Sequence, residues 1–289
     1  MALVAEDFSV ESLEQLRIAL GFKGDVVSFV SSLSHEPVVV IDGLDALRSE
    51  PSQRTFRELI RQVSRRAPKC TIVASIRTFD LQQSEELKTL FFSKEGIAST
   101  RGFQQVTVPP LTDADLNQAI SQAPVLQNVL THAKGEFRNL LRNPFNLHLA
   151  LQLLETGVPS GEISHLHTQV QLLTRYWDWR VGGQPNSYDR EAFLRAVLEK
   201  MVEVRSLSIP ETTVYQTGQG PILSALQSDE ILKESVTNRL SFVHNILFDY
   251  GVARLLLDEE SIEPFIQTDR SRTIFFRPSL AYFFHYLWF

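Results

Sequence analysis

The sequence predicts an α/β fold followed by an all-α region, and three observations carry that prediction. Val38-Val-Val-Ile41 is an unbroken β-branched run ending in Asp42, as expected of a short strand buried in a parallel sheet. Strand-like and helix-like stretches alternate from Leu3 to Val108, which argues a doubly wound α/β unit. From Leu111 the apolar spacing turns helical.

Taken in order, Leu3 and Val4 form a short edge strand. Ser9 to Leu20 reads as a helix capped by Ser9 or Ser12, with Leu13, Leu16 and Leu20 on one face and Gly21 as its stop. Val26 to Leu33 is a short amphipathic helix, and the strand ending at Asp42 follows. Ser52 to Ala67 sets Phe56, Leu59, Ile60 and Val63 on one side and Arg54, Arg57, Arg61 and Arg65 on the other. That basic side reads as a solvated helix face. Cys70 to Ser75 is a second buried strand. Gln104 to Val108 is a third, closed by Pro109-Pro110.

In the helical region, Thr112 caps a helix with Asp113 and Asp115 in its first turn. Leu126 to Leu130 and Phe137 to Leu141 are further helical pieces. Asn143 caps the next helix, with Pro144 in its first turn. Leu166 to Arg180 is helical, with Trp177 and Trp179 packed inside. Gly182-Gly183-Gln184-Pro185 breaks the chain before a helix from Tyr188 to Val204, whose stripe of Phe193, Val197 and Met201 is core. Leu207 to Pro210 is extended, and Pro221 to Gln227 is a short helix. Asp229 to Val236 and Arg239 to Val243 pair as a hairpin through Thr237-Asn238, an arrangement that suggests a winged helix. A helix from His244 to Leu257 turns Ile246, Leu247 and Tyr250 inward and keeps Asp249 polar. A last helical segment starts near Ser261. It runs into the aromatic stretch Leu280 to Phe289, which reads as a cut inside a longer protein.

Bulk properties narrow the classes. The 289 residues are 43% hydrophobic and 21% charged, a globular composition. A net charge of -6 gives no general footprint for nucleic acid. Cys70 is the one cysteine, so neither a disulfide framework nor a zinc cluster is expected, and His165 and His167 lack accompanying ligands. The first residues do not form a signal peptide, and no apolar run approaches the roughly 20 residues that cross a bilayer. A cytoplasmic protein without a membrane partner is the expectation.

The chemistry concentrates at strand ends. Asp42 stands at the carboxyl end of its strand, where open α/β sheets bind ligands. Gly43 lets the backbone turn, and Asp45 adds a second carboxylate. Such a pair either holds Mg²⁺ and orients a water or forms an ordinary Asx turn. Arg77, just past the next strand, shares that rim if the strands are parallel. It either contacts a γ-phosphate or is a loop arginine. Backbone near Pro144 is a plausible wall for an adenine, or a well-formed helix start. His244, at a helix amino terminus, either donates to a phosphate or caps the helix.

These residues form a series that resembles the STAND class of signal-transduction NTPases, close to NACHT and bacterial antiviral-sensor ATPases, over roughly residues 1–258. Val38-Val-Val-Ile-Asp42-Gly-Leu-Asp45 resembles the Walker B motif, and Ser75-Ile-Arg77-Thr-Phe-Asp80 the sensor 1 segment. Arg142-Asn-Pro144-Phe resembles the helical-domain proline motif. Ser241-Phe-Val-His244-Asn-Ile-Leu-Phe-Asp249-Tyr250 resembles the winged-helix histidine segment.

The resemblance implies an incomplete P-loop NTPase (AAA+-like) domain over 1–110, a helical domain over 111–160, a winged-helix domain over 161–258 and a following helical region from 259. It implies ATP or ADP with Mg²⁺ as cofactors in the intact protein. Asp42 would hold Mg²⁺ through water and Asp45 would be catalytic. Arg77, Pro144 and His244 would contact the nucleotide, with His244 locking the ADP state. It further implies oligomerisation on activation, an unknown protein trigger, and antiviral or innate-immune signalling.

Two departures stand out. Ala46 occupies a position where the family often has a second acid. No Gly-x-x-x-x-Gly-Lys-Ser/Thr occurs anywhere, and Gly21-Phe-Lys-Gly24 lacks its spacing and hydroxyl. The resemblance implies that the phosphate-loop strand precedes Met1 and inserts between the Asp42 and Cys70 strands. This chain would bind no nucleotide tightly by itself, associating instead with that missing segment or with other protomers. The alternatives are a non-catalytic interaction scaffold with a degenerate NTPase fold, and a winged-helix DNA regulator. The second is disfavoured because no Lys or Arg occurs between Arg205 and Lys233.

Overall fold

The computed structural model describes residues 1–289 apart from 48, 94–103, 134, 217, 235–237, 261, 264–269 and 289, and excludes the side chains of 79, 270–275, 286 and 288. It is an α/β arrangement with a three-stranded parallel sheet and many helices. The chain divides into two compact units. One holds Met1–Thr107, Glu199–Tyr215 and Lys233–Asn245; the other holds Val108–Leu198, Gln216–Leu232 and Ile246–Phe289.

The first unit is built on strands β1 (Ala2–Val4), β2 (Val38–Asp42) and β3 (Thr71–Ala74), in that order and parallel. The register places Leu3 beside Ile41, and Val39 and Ile41 beside Ile72 and Ala74. Those residues share one face, because side chains alternate along each strand. Three helices supply its cover: α1 (Leu13–Ala19), α2 (Val26–Ser32) and α3 (Glu50–Arg66) contribute Leu16, Val27, Phe56, Leu59 and Ile60, all buried with Val39 and Ile41. Each helix has a side-chain cap, from Ser12, Asp25 and Ser49 respectively. On α3, Arg57 is buried and pairs with Glu50 at 3.2 Å, so it does not join the solvated basic face expected of it.

Among the described residues the other face of the sheet is largely exposed, unlike the two covered faces of a doubly wound arrangement. Val4, Val38 and Val73 are 40%, 44% and 49% exposed. β2 and β3 are direct hydrogen-bonded neighbours, which excludes a further strand inserted between them in this arrangement. Gln104–Val108 is not a strand: Val106 and Val108 are 72% and 85% exposed. Among the described residues β3 is the last strand of the sheet, and β-propensity without a neighbouring strand does not hold a segment extended in a sheet.

A second sheet has the order β4 (Ser208–Pro210), β6 (Arg239–Phe242), β5 (Leu232–Glu234), with β4 and β6 antiparallel. Thr237 of the expected turn lies outside the described residues. Asn238 adopts φ 54°, a left-handed conformation that asparagine tolerates.

The second unit is helical. Thr112 and Asp115 form a capping box on Asp113–Gln122, and Asn143 caps Pro144–Glu155. Gln169–Trp177 passes into a π-helical turn over Asp178–Gly182. Trp177 is fully buried, but Trp179 is only partly so, with the Arg175 guanidinium 5.6 Å from its ring. In Asn245–Leu255, Asp249 is buried, and the Ser279 hydroxyl donates to it at 2.9 Å. Among the described residues, no helix is long and apolar enough to cross a membrane.

Candidate functional site

The carboxyl edge of the parallel sheet gathers most of the residues singled out from the sequence. Asp42 ends β2 and lies on the open face, with its carboxylate exposed. Gly43 takes φ 69°, in the left-handed region, where a glycine has no steric penalty. That turn feeds a short 3-10 helix, Leu44–Ala46, which places Asp45 beside the end of β3. Register continues one residue past the paired positions, so Ser75 faces Asp42. The Ser75 hydroxyl accepts from the Gly43 N–H at 2.7 Å and donates to Asp42 Oδ1 at 2.5 Å. Its carbonyl accepts from the Leu44 N–H at 3.0 Å. One serine therefore fixes both the Asp42 rotamer and the turn that follows.

Asp45 is the buried member of the pair, with its side chain 5% exposed. Both of its oxygens are engaged by one residue. The Arg77 backbone N–H donates to Oδ1 at 3.0 Å, and Arg77 Nε approaches Oδ2 at 3.2 Å. Burial pushes the Asp45 carboxyl above its ordinary value. The Arg77 N–H and guanidinium pull it back, and nearby Asp80 adds a smaller upward push. Arg77 itself is half exposed. In this arrangement Arg77 offsets the charge of Asp45 and contacts both of its oxygens.

The structure therefore brings Asp42, Asp45 and Arg77 together, as the parallel order of β2 and β3 requires. His244 belongs to the same unit and stands half-buried, just before the helix Asn245–Leu255. Its neighbour Asn245 donates to Glu6 in the 3-10 turn Ala5–Asp7 that follows β1. Val4 pairs with Asp42, so Glu6 stands at the same carboxyl edge. Pro144 lies in the other unit, exposed at the first position of its helix, where the Asn143 side chain accepts from the Phe145 N–H at 2.9 Å.

A resident metal does not fit this edge. Among the described residues, no three His, Cys, Asp or Glu side chains gather to hold one. A Mg²⁺ ion that arrives with phosphate oxygens and keeps its own waters needs only one or two carboxylates, and exposed Asp42 suits that use.

Two participants were missed from sequence. Ser75 lies inside the sensor-like segment, and its position opposite Asp42 follows once the strands are taken as adjacent. Glu6 carries no local signal, since its partners lie more than two hundred residues away. No family model matches this sequence, and comparison with curated proteins found no match.

Proposed function

We propose that this chain is the nucleotide-switch part of a STAND-type NTPase, responding to ATP and ADP with Mg²⁺. The observation that carries this is the pairing of Asp42 with Ser75 and of Asp45 with Arg77 across adjacent parallel strand ends. Two carboxylates of different burial and one half-exposed arginine at a carboxyl edge suit phosphoryl chemistry. Mg²⁺ supplies charge neutralisation on the phosphates. Asp42 would hold the ion, and the Ser75 hydroxyl keeps the Asp42 carboxylate in place for that task. Arg77 turns from Asp45 to a γ-phosphate, which frees Asp45 to orient the attacking water. His244 contacts phosphate in the closed state.

The β-phosphate grip comes from outside these 289 residues, because the sequence has no phosphate-loop motif. The outer edge of β3 and the exposed Val38 and Val73 beside it suit an added strand and its helix. Calorimetry with Mg-ATP tests the proposal. Weak, Mg-dependent binding that Asp42→Asn removes is expected of this chain. Tight binding, or binding indifferent to Mg²⁺ and to Asp42, overturns the assignment.

A further inference from the structure

Glu6 is tied to the far end of the first unit by two contacts. Its carboxylate accepts from Lys233 Nζ at 3.3 Å, on β5, and from the Asn245 side-chain amide. The Glu6 side chain is 16% exposed and that of Lys233 37%, so the pair is partly shielded from water and from salt screening. Between the two partners lie β6 and His244. The turn that carries Glu6 packs on the turn that carries Asp45. The acid at 6 therefore joins the Asp45 turn, the small sheet and the start of the Asn245 helix.

We propose that Glu6 is an autoinhibitory clasp: it holds the Arg239–Asn245 segment, and His244 within it, at the carboxyl edge of the parallel sheet, and must release Lys233 and Asn245 before that segment can leave. The regulatory meaning rests on the nucleotide-switch reading, whereas the clasp itself does not. Local charge-assisted bonds suit such a device, since each is stronger than a neutral bond yet can break without disturbing the sheet. Asp7, beside Glu6, is the other acid facing Lys233. It does not replace Glu6, because the side-chain bonds from Lys233 and Asn245 run to Glu6.

Hydrogen exchange on the full chain, without nucleotide, tests the clasp. Glu6→Ala is expected to speed exchange of the 239–247 amides about tenfold, the size of one charge-assisted bond, while the amides of β2 stay as protected as before. Glu6→Gln keeps an acceptor for Asn245 and loses the Lys233 pair, so it falls between. Glu6→Lys combined with Lys233→Glu restores part of the protection. Unchanged exchange over 239–247 in Glu6→Ala overturns the proposal. So does an equal rise in β2, which would mark Glu6 as a general stabiliser. Failure of Mg-ATP binding would remove the nucleotide reading and leave this result standing.

Discussion

Replacing Arg77 with alanine isolates the interaction on which the candidate site depends. Asp45 keeps the residue 77 backbone N–H and loses the guanidinium 3.2 Å from Oδ2. At that separation the Coulomb term is about 1 kcal/mol with water-like screening and about 5 kcal/mol at an effective dielectric of about 20. Arg77 is 49% exposed and Asp45 5%, so solvent screening on the arginine side brings the loss to about 1–2 kcal/mol. The sign of the pH effect follows from burial. The folded-state Asp45 value lies above the ordinary one, so folding takes up a proton in the window just above the usual aspartate value. Stability falls as pH rises through that window and returns on acidification. In Arg77→Ala the window extends further upward. Carbon-detected titration of the Asp45 carboxyl, with urea unfolding at several pH values, measures both effects. An Asp45 titration that stays put or moves down in folded Arg77→Ala would refute the reasoning.

Other substitutions probe the remaining supports. Gly43→Ala places a Cβ at φ 69° and 3.4 Å from Ala46 Cβ. It should cost about 1–2 kcal/mol in urea unfolding. Ser75→Ala removes the hydroxyl that joins Gly43 to Asp42, for about 1 kcal/mol of stability, and should weaken Mg-ATP binding as Asp42→Asn does. Gly251→Ala drives a Cβ to 3.1 Å from both Leu198 and fully buried Trp177. The helix-propensity gain of about 1 kcal/mol is outweighed by an overpacking cost of about 1–3 kcal/mol, so its thermal midpoint should fall. Val73→Thr keeps a β-branched residue at an exposed sheet position. It should leave the thermal midpoint nearly unchanged and reduce self-association measured by light scattering.

The legible parts were those governed by nearby residues. A β-branched run and a terminal acid placed β2, Asp42 and the turn at Gly43. Cap residues at Ser12, Thr112 and Asn143 located helix starts because capping acts within one turn. Arg77 followed from parallel strand order. The misses depended on distant partners. Gln104–Val108 has the composition of a strand, but pairing needs a neighbour, and composition does not report one. The burial of Asp249 is not legible locally, because Ser279, which donates to it, lies in another helix. Trp179 reads as core beside Trp177, whereas it stands partly exposed in the π-turn that begins at Asp178. Glu6 is one acid among many until its contacts to Lys233 and Asn245 are seen.

On the reading proposed above, the Asp42–Arg77 edge receives a magnesium-bound nucleotide. Amide chemical shifts of the 289-residue chain, followed as Mg-ATP is raised to millimolar concentration, test it most directly. Gly43, Asp45, Ser75 and Arg77 should shift together, and Arg77→Ala should suppress the change. Shifts confined to other parts of the chain, or none at saturating Mg-ATP, would contradict it.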